Sequence, residues 1–152
     1  MFVGREAELA KLESLYEQRS FQMAVVYGRR RVGKTTLINE FCRDKRTLSF
    51  TALEQSDADN LADFNRAIAS FFNLPTLLGG FSSWTDALSF IADRARTERF
   101  VFVFDEFPYA AMRNEALPSI FQVAIDKAFK ETDVFLILCG SNQGFMESNV
   151  LG

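Results

Sequence analysis

Histidine is absent from this 152-residue chain. That one absence removes Ser-His-Asp and Cys-His hydrolases, histidine phosphorelays and most zinc enzymes. Cysteine is scarce: Cys42 and Cys139 lie far apart with no metal-ligand spacing, so no disulfide framework is expected and a reducing cytoplasm fits. Long apolar runs are lacking as well. Stretches such as Val134 to Cys139 fall well short of the roughly 20 residues that a membrane helix needs. The opening Met1-Phe2-Val3-Gly4-Arg5-Glu6 becomes charged too soon for a signal peptide. Nor is there a basic excess: 17 Lys and Arg against 20 Asp and Glu give a net charge of −3, which lends no support to a nucleic-acid partner. The expectation is a soluble, cytoplasmic protein without a membrane partner.

What the chain has in quantity is phenylalanine, 17 residues of it, recurring at helix or strand spacing and therefore read as core filling. Its length suits one compact domain with a sizeable core. Leu9, Leu12, Leu15 and Tyr16 fall at helical spacing within Arg5 to Arg19. Met23 to Tyr27 is a continuous apolar run typical of a strand buried on both faces. Gly28 to Thr36 reads as a loop running into a helix from Thr35 to Arg43, and Arg46 to Ala52 as a second strand. Leu61, Phe64, Ile68, Phe71 and Phe72 share one helical face. Trp84, Leu88, Ile91, Ala92 and Ala95 share another, opened by Ser83 with Asp86 as a capping box. Pro75 to Phe81, with Gly79-Gly80, is the loop between those helices. Arg99 to Phe104 is a third strand ending in Asp105-Glu106. A helix through Leu117 to Ala128 follows, and then a fourth strand, Val134 to Cys139. Strands alternating with helices imply βαβ units and a mainly parallel sheet covered on both sides.

Three segments carry chemistry. Gly28-Arg29-Arg30-Arg31-Val32-Gly33-Lys34-Thr35, followed by Thr36, matches G-x-x-x-x-G-K-[ST] with a buried strand before it and a helix after it. Phosphates need a ring of backbone N–H donors, so the chain must curl tightly, and glycine permits that backbone. The helix that follows turns its positive end to the anion. Lys34 reaches the β/γ phosphates, and the Thr35 hydroxyl can ligate Mg²⁺. Arg29, Arg30 and Arg31 lie inside this loop; their side chains read first as a solvated rim, with contacts to phosphate, a partner or nucleic acid as the alternative. The second segment, Phe100 to Phe104 ending in Asp105-Glu106, is an apolar strand delivering carboxylates to the carboxyl edge of a sheet. There Asp105 serves the Mg²⁺ ion and Glu106 polarises the attacking water as general base. Third, Gly140-Ser141-Asn142 closes the fourth strand. If that strand lies between the other two, Ser141 or Asn142 faces the γ-phosphate, and the alternative is a plain turn.

Together these segments resemble the archaeal-type ATPase family, a branch of the signal-transduction ATPases related to AAA+ proteins. The resemblance rests on Phe2-Val3-Gly4-Arg5-Glu6, Tyr27 to Thr35, Phe104-Asp105-Glu106-Phe107-Pro108-Tyr109 and Cys139 to Asn142, continued by Gly144-Phe145-Met146. It implies a P-loop NTPase of α/β three-layer type, the additional-strand catalytic-Glu class, with strand order 2-3-4-1. It also implies that Phe2, Val3, Gly4 and Arg5 fold over the adenine. On that likeness residues 1–152 form an ATPase core. Such proteins usually carry a fifth core strand, a lid, further domains and an arginine beyond the Gly140-Ser141 region, so a truncated chain is expected, with a degenerate copy as the alternative. An open edge at Met23 to Tyr27 would then favour self-association. The expected activity is Mg²⁺-dependent ATP hydrolysis driving or gating another protein or the chain's own further domains. A nucleotide-gated scaffold with little turnover and a P-loop small-molecule kinase are the rivals.

Overall fold

The computed structural model describes residues 6–27, 33–75 and 80–148. The elements run α1 (Glu6–Tyr16), β1 (Gln22–Tyr27), α2 (Lys34–Cys42), β2 (Thr47–Thr51), α3 (Asp57–Phe72), α4 (Trp84–Ala95), β3 (Val101–Asp105), α5 (Phe107–Arg113), α6 (Leu117–Lys127), β4 (Phe135–Gly140) and α7 (Gln143–Met146). The four strands are all parallel and ordered β1-β4-β3-β2. This is the α/β P-loop arrangement and the strand order that the resemblance implied.

Side chains alternate across a strand, so each inner strand feeds two cores. In β3, Phe102 and Phe104 enter one core while Val101 and Val103 enter the other. In β4, Leu136 and Leu138 oppose Phe135, Ile137 and Cys139 in the same way. Helices α3, α4, α5 and α6 cover the first face, and α1 and α2 the second. Both inner strands are buried throughout apart from Asp105, which is why they read as unbroken apolar runs. Phenylalanine fills the larger core as a connected set: Phe104 lies 4.9 Å from Phe50, 5.6 Å from Phe64 and 5.2 Å from Phe121, centroid to centroid.

Local chemistry sets the element ends. Ser56 and Ser83 cap α3 and α4 by accepting the amides of Asp59 and Asp86, each at 3.1 Å. Of the capping box expected at Ser83, the serine half is therefore present. Asn60, fully buried, accepts the Leu53 amide and donates to the Leu53 carbonyl, fixing the turn that leaves β2. Observed boundaries differ from expectation by one to three residues, as helix and strand ends usually do. Two helices were not anticipated, α5 and the short α7. Residues 107–113 form α5, with Pro108 in its first turn, a position where a missing N–H costs nothing.

The two outer strands are β1 and β2. Among the described residues β1 pairs with β4 alone. Along its other side it borders a cavity of about 350 Å³, lined by residues 23–27 and by Glu8, Lys11, Leu12 and Leu15 of α1. Met23 is the most exposed apolar residue of this strand, at 38 %. No helix among the described residues is long and apolar enough to cross a membrane.

Candidate functional site

Because all four strands are parallel, their carboxyl ends share one edge. Tyr27 of β1 registers with Gly140 of β4, and Asp105 of β3 registers with Thr51 of β2. Everything that leaves the sheet at this edge is brought together.

The first contribution comes from the turn into α2. Gly33 sits at φ 83°, a left-handed conformation that glycine enters without a Cβ penalty. The Gly33 carbonyl accepts the Leu37 amide at 2.9 Å, and α2 starts with Lys34. The Lys34 side chain is 3 % exposed, and its Nζ lies 3.1 Å from Asp105 Oδ1. A buried ammonium needs a counter-charge, and the carboxylate at the end of β3 supplies it. Thr35 and Thr36 follow on the exposed side of the first turn.

The second contribution is the end of β3. Asp105 Oδ1 also accepts the Glu106 amide at 2.8 Å. Glu106 then adopts φ 54° and ψ 44°, a left-handed backbone outside glycine, and its carbonyl accepts the Tyr109 amide as α5 begins. Such a conformation costs about 1–3 kcal/mol and persists where the surroundings determine it. Here it turns the Glu106 side chain, 6 % exposed, back along the sheet edge towards β4.

The third contribution meets it there. Ser141 donates its amide to Glu106 Oε1 at 3.0 Å, and its hydroxyl lies 2.8 Å from Oε1 and 2.9 Å from Oε2. Asn142 points elsewhere: its Oδ1 accepts the Phe145 amide and its carbonyl the Met146 amide, capping α7. Of the two alternatives left open by the sequence, Ser141 is the one that touches another site residue. Gly140 is needed for space. A Cβ there would stand 2.7 Å from Pro108 Cδ and 2.8 Å from Met146 Sδ, so α5 and α7 pack directly on the end of β4. Beneath this edge, burial pushes the Cys139 thiol well above its ordinary range, and the nearby Asp105 carboxylate adds to the shift. The thiol stays neutral and offers no nucleophile.

The described residues therefore bring Lys34, Asp105, Glu106 and Ser141 to one place. Gly28, Arg29, Arg30, Arg31, Val32, Phe2, Val3, Gly4 and Arg5 lie outside the described residues. Sequence reasoning missed two contacts, the Lys34–Asp105 pair and the Ser141–Glu106 clasp. The strand order implied by the resemblance, which sets the ends of β3 and β4 side by side, was the signal from which the second could have been found.

Residues 2–151 match an ATPase domain found predominantly in Archaea. An uncharacterised protein of Methanocaldococcus jannaschii is 32% identical over 151 residues, which is 99% of this chain and 32% of that protein. An uncharacterised ATP-binding protein of the same organism is 46% identical over 46 residues, 30% of this chain and 78% of its own length. Among solved structures, the Walker-type ATPase of Pyrococcus abyssi superposes with a TM-score of 0.71 at 20% identity, covering 99% of this chain and 48% of that one. Cdc6p of Pyrobaculum aerophilum gives 0.70 at 18% identity, covering 99% and 42%. At such identities the structural likeness speaks to the fold. The chain spans about a third of the length of the first of these relatives.

Proposed function

This chain belongs to the family of ATPase domains found predominantly in Archaea, and from that premise we propose that its sheet-edge site binds ATP with Mg²⁺ and hydrolyses it. The observation that carries this reading is the 3.1 Å pair between Lys34 and Asp105, which joins the phosphate-loop helix to the strand that ends in Asp105-Glu106. A buried cation beside a half-buried carboxylate forms a site that a metal-bound triphosphate can enter by exchange. Lys34 would then turn to the phosphates and Asp105 to the ion.

Each residue then has a task. Gly28 to Gly33 cradle the phosphates through backbone amides, Arg29 to Val32 among them, and α2 presents its positive end. Lys34 neutralises the β/γ charge. The Thr35 hydroxyl and the Asp105 carboxylate would hold Mg²⁺. Two protein oxygens suit an ion that fills the rest of its shell with phosphate and water. When bound, the ion offsets phosphate charge as the bond to the γ-phosphoryl group breaks. Glu106 accepts a proton from the attacking water, and Ser141 answers to the γ-phosphate. Phe2 to Arg5 cover the adenine. The protein acts in the cytoplasm, and its turnover drives or gates a partner, either another protein or further domains of its own chain.

A second reading, a nucleotide-gated scaffold with little turnover, has one observation in its favour. Three hydrogen-bond contacts from Ser141 already occupy the Glu106 carboxylate. Product analysis separates the two readings. With ATP and Mg²⁺ the protein should release inorganic phosphate, and Glu106→Gln should keep nucleotide affinity while losing about 10²–10⁴-fold in rate, the usual worth of a general base. Tight binding without phosphate release would favour the scaffold. A phosphorylated acceptor would indicate a kinase.

A further inference from the structure

We propose that the outer edge of β2 is an interface whose occupant is the same strand of a second copy of this chain. The two strands pair antiparallel, so that Arg46 of each protomer meets the partner's Glu54. The inference stands apart from the nucleotide site and from the cavity beside β1.

Strand β2 ends the sheet on the side away from the phosphate-loop strand. The Arg46 carbonyl accepts the Val101 amide at 2.9 Å, and the Ala52 amide donates to the Asp105 carbonyl at 3.0 Å. Residues of a parallel ladder alternate in the neighbour they face. Leu48 and Phe50 therefore also turn their backbone groups to β3, while Thr47, Ser49 and Thr51 turn theirs outward. Among the described residues no strand pairs with that side. On the sheet face that α1 and α2 cover elsewhere, Ser49 and Thr51 are left exposed, and α3 covers Leu48 and Phe50 on the other face. Natural proteins usually guard such an edge with a Lys, a Pro or an inward-pointing charge. Thr47 to Thr51 carries none.

Charge selects the occupant. The segment is basic where it begins and acidic where it leaves the sheet. The Arg46 side chain is 51 % exposed, with its Nε held by Glu98 at 2.9 Å and its guanidinium 4.2 Å from the centre of the Phe71 ring. It is therefore ordered before any partner arrives. Glu54 is exposed and pairs with no cation among the described residues. An antiparallel copy of the same segment reverses the polarity and brings each basic end to the partner's acidic end, and a twofold axis repeats every contact. With Arg46 opposite the partner's Glu54, the axis passes at Phe50 and Ser49 stands opposite the partner's Thr51. Both belong to the outward-facing set, so they exchange backbone hydrogen bonds. Slipping the pair by two residues would instead set Asp44 against the partner's Glu54, two like charges.

Sedimentation equilibrium at low salt tests the pairing, on the 152-residue protein carrying Met23→Lys so that the β1 edge takes no part. The expected result is a dimer. Ser49→Pro removes only an outward N–H, which an edge strand tolerates. It should raise the dissociation constant of the dimer about tenfold or more, with the circular dichroism spectrum unchanged. Glu54→Arg should weaken the dimer about tenfold, the scale of two exposed ion pairs turned into like charges. Adding Arg46→Glu exchanges the charges and should restore the dimer, which covers the case in which the proline variant folds poorly. A protein that stays monomeric in the Met23→Lys background would overturn the proposal. So would a dimer that neither Ser49→Pro nor Glu54→Arg weakens. A Glu54→Arg protein that Arg46→Glu fails to rescue, with its fold intact, would overturn the pairing of Arg46 with the partner's Glu54. None of these results touches the nucleotide site.

Discussion

Lys34 and Asp105 are 71 positions apart in the chain, and their side chains meet at 3.1 Å, which ties the first turn of α2 to the end of β3. Asp105 Oδ1 also receives the Glu106 amide, so one oxygen serves both the cation and the turn into α5. If Asp105 passes to Mg²⁺ when nucleotide binds, its charge should matter chiefly in the presence of the ion. Asp105→Asn should weaken AMP-PNP binding by about 10–100-fold in Mg²⁺, the usual range for a residue that supports a metal site. In EDTA the same substitution should change affinity little. Equal losses with and without the ion would mean that Asp105 acts only on Lys34.

Close packing at Gly140 sets a second expectation. Gly140→Ala places a methyl group 2.7 Å from Pro108 Cδ and 2.8 Å from Met146 Sδ, and overpacking of this kind costs about 1–3 kcal/mol. Gly144→Ala is the control, because its nearest neighbour would be Asn142 Oδ1 at an ordinary 3.7 Å. Thermal melts should show Gly140→Ala lowered by several degrees and Gly144→Ala nearly unchanged. Identical melts would mean that α5 and α7 do not press on β4 as described.

Among the described residues β1 pairs along one side only, and that bears on association. An unpaired edge is a template for another chain, and charge placed on it discourages pairing. Met23, 38 % exposed on that strand, is the natural position for a charge. Light scattering on the 152-residue protein should show self-association that Met23→Lys reduces. A monomer at all concentrations, unaffected by the substitution, would show that the edge is inert.

Much of this was legible in the sequence. Apolar runs marked β3 and β4 as strands, and both carry carboxylate or small polar residues where they end. The run read as buried on both faces, Met23 to Tyr27, is instead the part-exposed outer strand β1, while β3 and β4 are the doubly covered ones. The strand order came from the resemblance, since periodicity carries no information on which strands are neighbours. What stayed hidden depends on conformation. Glu106 reads as one acid beside another, and its left-handed backbone, which decides where its carboxylate goes, has no local signature outside glycine. Helix α5 escaped notice because Phe107 to Arg113 is two turns long, with a proline near its start. Asn142 and Ser141 were indistinguishable as turn formers. They separate in space because Asn142 caps α7 while Ser141 faces Glu106.

The central claim is that this edge binds a nucleoside triphosphate, and Lys34 gives the most direct test of it. Calorimetric titration of wild type and Lys34→Ala with AMP-PNP and Mg²⁺ should show clear binding to the first and a loss of about 10–100-fold or more in the second. That is the worth of one or two charge-assisted hydrogen bonds. The circular dichroism spectra of the two should coincide. Unchanged affinity in a correctly folded Lys34→Ala protein would contradict the account at its root.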